Sequence, residues 1–185
     1  MNFIVRYIRH KKEMEYIHAD RKPEFLTADR ISRAVAVFDT GSPDYGKDLK
    51  TVSEWAKRHG IRLYTVNFEF KAKRAGAADP ENTVTIYKDE INIYGIPANT
   101  GLKGLLDDRF DLLICTCNGA EKDGTMPYPV EFVVKCCNAL FKAGTGGRTS
   151  LFDMCVSGGK DGNDRKNDNA EQVEFLLHTL STIKN

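Results

Sequence analysis

Residues Ala34-Val35-Ala36-Val37-Phe38-Asp39-Thr40-Gly41-Ser42-Pro43 decide the fold class of this chain. The uninterrupted apolar run 34–38 suits a strand buried on both faces, the pattern of a parallel sheet covered by helices on each side. Asp39-Thr40-Gly41-Ser42 then turns the chain, with Ser42 placed as a helix cap and Pro43 at the first helical position. The spacing predicts a helix over 44–59 that turns Leu49, Val52, Trp55 and Ala56 inward and ends at Gly60. A buried strand leading straight into an amphipathic helix is the opening half of a βαβ unit.

The alternation continues downstream. Residues 61–66 read as a second strand, and 84–87 with 91–94 as two short runs, either a hairpin or a strand followed by an irregular extended segment. Asn99 or Thr100 caps a short helix carrying Leu102, Leu105 and Leu106. Residues 111–115 form another strongly buried strand, and Pro129 begins a helix with Val130, Val133, Val134 and Cys137 inward. Two further strands are expected at 139–143 and 151–156. A closing helix presents Val173, Leu176, Leu177, Leu180 and Ile183 on one face. The expected fold class is α/β: three layers, a mainly parallel sheet with helices on both faces, Rossmann-like or flavodoxin-like.

Upstream, residues 3–19 read as a helix with an imperfect stripe of Ile4, Tyr7, Ile8, Met14 and Ile17, broken by Pro23. Residues 1–22 are therefore a candidate interface element for a homo-oligomer, and 23–185 a single α/β domain. The stretch 158–169 holds almost nothing that can be buried and is expected to be a mobile surface loop.

Composition narrows the function. The chain has 185 residues, with 27 Lys plus Arg against 26 Asp plus Glu. Such a balance argues against nucleic acid as the main partner. A local excess of basic residues across 47–74 is spread over helix, strand and loop, as on a solvated face. No apolar run is long enough to span a membrane, and the N-terminal run is interrupted by Arg6 and followed by Lys11 and Lys12, unlike a signal peptide. The expected location is the cytoplasm. Five cysteines, an odd number with Cys136 and Cys137 adjacent, fit reduced thiols packed in a core.

Four phrases carry a family resemblance: Tyr94-Gly95-Ile96-Pro97, Phe110-Asp111-Leu112-Leu113-Ile114, Ala139-Leu140-Phe141-Lys142-Ala143-Gly144 and Phe152-Asp153-Met154. From about residue 20 onward the chain resembles an uncharacterised family of short, soluble α/β proteins common in Bacteroidetes. The cysteines around 115 and the polar stretch 158–169 depart from that pattern. The resemblance implies the fold class and transfers no active residue.

The turn after the first strand is the leading candidate site. Flavodoxin-like proteins hold the FMN phosphate in a Thr-Gly-rich turn at a helix N-terminus, and Asp39, Thr40, Gly41 and Ser42 stand in that place. Cys117 and Asn118, at another strand end, would complete a cofactor-binding site for a flavin, nucleotide or other small phosphorylated ligand. Against this, Pro43 removes a donor and Asp39 sets negative charge beside the phosphate. Asp-Thr-Gly-Ser also resembles the active-site phrase of aspartic proteases, but those are all-β and here the phrase enters a helix. Cys117 has no histidine placed to activate it, Cys115 and Cys117 lack zinc-knuckle partners, and Gly144-Thr145-Gly146-Gly147-Arg148 reads as a turn more readily than as an anion nest. Asp111 is expected to satisfy backbone donors at a strand start. Asp153 needs solvent, a partner or a cleft. No catalytic or metal residue is assigned and the cofactor stays open. The leading expectation is a non-catalytic α/β binding or interaction domain. The alternative is a flavin- or nucleotide-binding protein or small enzyme, with its site at the carboxyl ends of the strands.

Overall fold

In a computed structural model, the apolar run becomes strand β1 (Arg33–Asp39), whose interior is wholly buried. Its side chains divide by the strand's two-residue period: Ala34, Ala36 and Phe38 enter one core, Val35 and Val37 the other. The structure describes residues 3–16, 21–76, 78–117, 126–146, 149–157 and 169–182. Among these the remaining strands are β2 (Arg62–Glu69), β3 (Thr83–Tyr87), β4 (Arg109–Cys115), β5 (Asn138–Thr145) and β6 (Met154–Val156). The helices are α1 (Phe3–Glu13), α2 (Tyr45–Arg58), α3 (Thr100–Asp107), α4 (Tyr128–Cys136) and α5 (Asn169–Thr182).

All six strands are parallel, in the order β3-β2-β1-β4-β5-β6. This is the order of a doubly wound sheet that reverses direction between β1 and β4. Helices α2 and α5 cover one face around Val52, Trp55, Val173 and Leu176, and the Trp55 indole N–H donates to Ser181 Oγ at 2.9 Å. Helices α3 and α4 cover the other face with Leu102, Leu106, Val130 and Val133. The α/β class and the covering of both faces are as expected, consistent with a Rossmann- or flavodoxin-like arrangement. Asp111 also behaves as expected: its carboxylate accepts the N–H groups of Ser32 (2.8 Å) and Arg33 (3.0 Å), pinning the start of β1 to β4.

Several local expectations are corrected. Helix α2 begins at Tyr45 with Asp44 as its N-cap, not at Pro43 behind Ser42. The reason is a turn closed by Asp39, described below, which postpones the helix. Gly60 does end it, at φ +68°. Helix α1 stops at Glu13, shorter than 3–19, and Ile8 packs inward while Ile4, Tyr7 and Met14 face out, so these residues form no single stripe. Residues 91–94 make no hairpin: a single turn at 88–90 follows β3, and Ile91 forms only a bridge with Pro97. Asn169 is no loop residue but the buried first residue of α5. The rest of the expected loop, 158–168, and Ile17 and Ile183 lie outside the described residues.

One crossover departs from the class. Among the described residues between β2 and β3 no helix forms. The connection runs down the outer edge of β3: Lys88 N–H donates to the Ala72 carbonyl, Arg74 Nη2 to the Thr85 carbonyl at 2.6 Å, and Thr85 N–H to Asp79 at 3.1 Å. The edge is thereby guarded, but no helix of this crossover covers the sheet face beside α2, which keeps an open groove.

Candidate functional site

The turn Asp39-Thr40-Gly41-Ser42 lies at the carboxyl end of β1, and Cys117 at that of β4, so the sheet brings them together at its reversal point. Thr116 N–H donates to the Val37 carbonyl at 3.1 Å and the Cys117 thiol points at the same carbonyl, 3.6 Å away. Asn118 lies outside the described residues.

The turn spends its own donors. Asp39 Oδ1 accepts Gly41 N–H at 2.8 Å, its carbonyl accepts Ser42 N–H, and Thr40 N–H donates to the Phe68 carbonyl. Ser42 Oγ accepts Asp44 N–H at 3.3 Å, and the Ser42 carbonyl accepts Tyr45 N–H. Ser42 thus shapes the turn without capping α2. An anion nest needs converging N–H groups that are unengaged, and those of residues 41, 42, 44 and 45 are engaged inside the turn and that of Thr40 with β2. The Thr40 hydroxyl lies 2.8 Å from the Glu69 carboxylate, which also accepts the N–H groups of Lys71 and Ala72; the Lys71 N–H, then Thr40, hold Glu69 below the usual carboxylate range. Two carboxylates, Asp39 and Glu69, therefore flank the turn.

Cys117 is a poor nucleophile in this setting. Hydrogen bonding with Cys115 and burial push its thiol well above the ordinary range, and the carboxylates of Asp39 and Asp48 add to the shift. A thiol that stays protonated neither attacks nor ligates a metal readily. Among the described residues no three His, Cys, Asp or Glu side chains gather as a metal site.

Beneath the turn lies a buried polar node that reading the sequence missed. Asn169 Nδ2 donates to Asp48 Oδ2 (2.6 Å) and to the Thr116 carbonyl (3.0 Å), while Thr145 Oγ1 donates to Asn169 Oδ1 (3.0 Å). It ties α2, β4, β5 and α5 together at the carboxyl side of the sheet.

Two other places carry unspent binding capacity. The first is α1, which is anchored largely by polar side chains and leaves several large apolar ones exposed among Arg6, His10 and Lys11. Glu13, 7% exposed, accepts the Tyr128 hydroxyl at 2.9 Å and Lys135 Nζ at 3.3 Å; Arg9 donates to the Tyr94 carbonyl at 2.7 Å and covers the Tyr128 ring. Burial and Glu13 together raise the Tyr128 hydroxyl far above its usual range. Outward stand Phe3, Ile4, Tyr7 and Met14, exposed by 80, 59, 60 and 54%. The second is a groove of about 580 Å³ on the uncovered face of β2 and β3, floored by Thr65, Asn67, Thr83 and Thr85. Threonines in a strand read equally as ordinary edge residues, so no sequence signal marked this floor.

Fold and site together define a parallel α/β protein with a self-contained turn at the reversal point. The chain belongs to a family of unknown function, DUF6913, matched over residues 6–178. No curated protein matches it. Among the described residues no helix is long and apolar enough to cross a membrane.

Proposed function

We propose that this chain is a non-catalytic binding domain that assembles with a second copy of itself through α1. The observation that carries the reading is the cluster of large apolar side chains that α1 and the turn after it leave exposed. A surface helix ordinarily buries its apolar face and wets its polar one. Here Glu13 and Arg9 anchor the helix to α4 and the loop at 94, and Phe3, Ile4, Tyr7 and Met14 are left to solvent. Spacings of four and seven put Phe3, Tyr7 and Met14 in one row. Antiparallel pairing about a two-fold axis near residues 8 and 9 sets Phe3 of one copy on Met14 of the other, a favourable sulfur–aromatic contact, and the patch complements itself as a two-fold interface requires. Residues 1–22 serve in this reading as the interface element and 23–185 as the α/β domain. Unpaired cysteines, four of the five buried, fit a reducing compartment and support a cytoplasmic location in this reading.

Light scattering on the size-fractionated protein tests this. Wild type is expected at twice the chain mass, and Phe3→Glu with Tyr7→Glu at the single mass with unchanged circular dichroism. A wild type that stays single at about 100 μM, where weak interfaces are populated, rejects the reading.

The second reading, a small-molecule site at the carboxyl ends of the strands, draws on the reversal between β1 and β4, where α/β sheets collect ligands. Its phosphate-binding form is disfavoured by the engaged N–H groups and by Asp39 and Glu69. Titration with FMN tests it: saturable binding that is lost in Gly41→Val supports this reading, and absence of binding removes it.

A further inference from the structure

The groove beside α2 exists because the β2–β3 crossover runs along the sheet edge instead of over its face. Its volume of about 580 Å³ falls in the range of small-molecule pockets. Leu49, Leu63 and Tyr45 wall one side, and Lys57 and Glu81 stand among its lining residues. On the floor, Thr65 and Thr83 satisfy each other at 2.9 Å. Asn67 does not share in this. It is 8% exposed, and its Oδ1 is buried with no hydrogen-bond partner. A central strand position needs no amide, since a β-branched residue fills it better. An orphaned buried acceptor is destabilising unless something supplies the missing bond.

We propose that this groove binds a small, neutral, planar heterocycle of the nucleobase or nucleoside class, with Asn67 reading its hydrogen-bonding edge. Oδ1 is turned inward, and a half-turn about the last torsion of the amide exchanges it with Nδ2, so Asn67 offers the groove one donor or one acceptor. Either polarity finds a partner on the edge of a purine or pyrimidine, which carries donors and acceptors next to each other. The hydroxyls of Thr83 and Thr85 both donate and accept, as ring nitrogens and sugar hydroxyls require. Tyr45, Leu49 and Leu63 offer apolar cover for the ring. Charge excludes the phosphorylated form as the preferred ligand: Lys57 is offset by Glu81, and the groove carries no anion-binding excess. None of Asp39, Thr40, Gly41, Ser42 and Cys117 lines it, so this site is separate from the strand-end candidate, and α1 lies outside it as well.

The test is calorimetric titration of the full chain with adenosine, guanosine, uridine and cytidine in turn. At least one is expected to bind saturably. Asn67→Ala should weaken that nucleoside three- to tenfold, about the worth of one neutral hydrogen bond, and Thr85→Val should weaken it too. Lys50→Ala, on the exposed face of α2, should bind like wild type. Urea unfolding of each variant confirms that a loss of binding is not a loss of fold. The proposal is overturned if none of the four binds at about 1 mM, or if a bound nucleoside is held equally by wild type and folded Asn67→Ala.

Discussion

The ring of Phe152 fills the space that a side chain at Gly144 would need: a Cβ there would stand 2.5 Å from Phe152 Cζ. Phe152 is buried in the core cluster, which leaves its ring little room to move. Gly144→Ala is expected to cost about 1–3 kcal/mol through overpacking. Adding Phe152→Leu should return part of it. Urea midpoints of the two variants against wild type check both halves.

Asn169 links four elements by side-chain bonds, so its loss strands several buried partners at once. Asn169→Ala leaves Asp48, 1% exposed, without that donor. A loss of about 2–4 kcal/mol follows from removing hydrogen bonds to buried and charged groups. Asn169→Asp should be worse, because it faces a second carboxylate with Asp48. Thermal unfolding of the pair gives the order.

Lys142 makes stability depend on pH. Burial pulls its ammonium down to about 8, although Nζ donates to the carbonyls of Val134 (2.6 Å) and Lys135 (3.0 Å) at the end of α4. Between about pH 8 and the ordinary lysine value the unfolded chain holds this proton and the folded chain has released it. Stability from this group therefore rises with pH across that window, and its cost, on the order of 3 kcal/mol, is fully present below pH 8. Burial acts the other way on the thiols of Cys136 and Cys137, pushed up to about 12: their contribution is full below the ordinary thiol value and is lost as pH rises toward 12. Wild type should gain on Lys142→Met between pH 8 and 10 in parallel urea titrations, and a constant difference between the two would contradict this.

Arg74 guards the open edge of the sheet. Its guanidinium bonds to the Thr85 carbonyl and Glu90 and lies over the Tyr87 ring. Arg74→Ala exposes that strand to other chains, so concentration-dependent aggregation is expected at temperatures where wild type stays dispersed. Dynamic light scattering on heating measures it.

Much of the fold was legible because burial on both faces leaves a local mark. The runs at 34–38 and 112–115 are apolar throughout, and only strands sandwiched between helices need to be. The leucines of α3 were equally plain, and of the two cap candidates Asn99 and Thr100 it is Asn99 that accepts Leu102 N–H, at 3.1 Å. Strand order was not, since parallel pairing joins residues far apart, as Val37 with Cys115, and no short pattern records it. Part of the candidate site was visible for a similar reason: Asp39 and Cys117 each follow an apolar strand, and strand ends share one side of the sheet. What the turn does there depends on whether its N–H groups are already engaged, a matter of torsion angles that residue types alone do not report. Asn67 and Asn169 were passed over because a polar residue in a strand or beside a polar loop reads as wet, and only packing reveals that each is buried.

The polar anchoring of α1 bears on how the molecule opens. Glu13 is the only fully buried side chain among its described residues, so little apolar surface is lost when the helix leaves α4. Its detachment free energy should lie far below that of the sheet, making α1 a separate cooperative unit whose amides exchange with solvent long before those of β1. Pairing with a second copy would slow that exchange in proportion to protein concentration, tying the order of one short helix to how much of the protein is present.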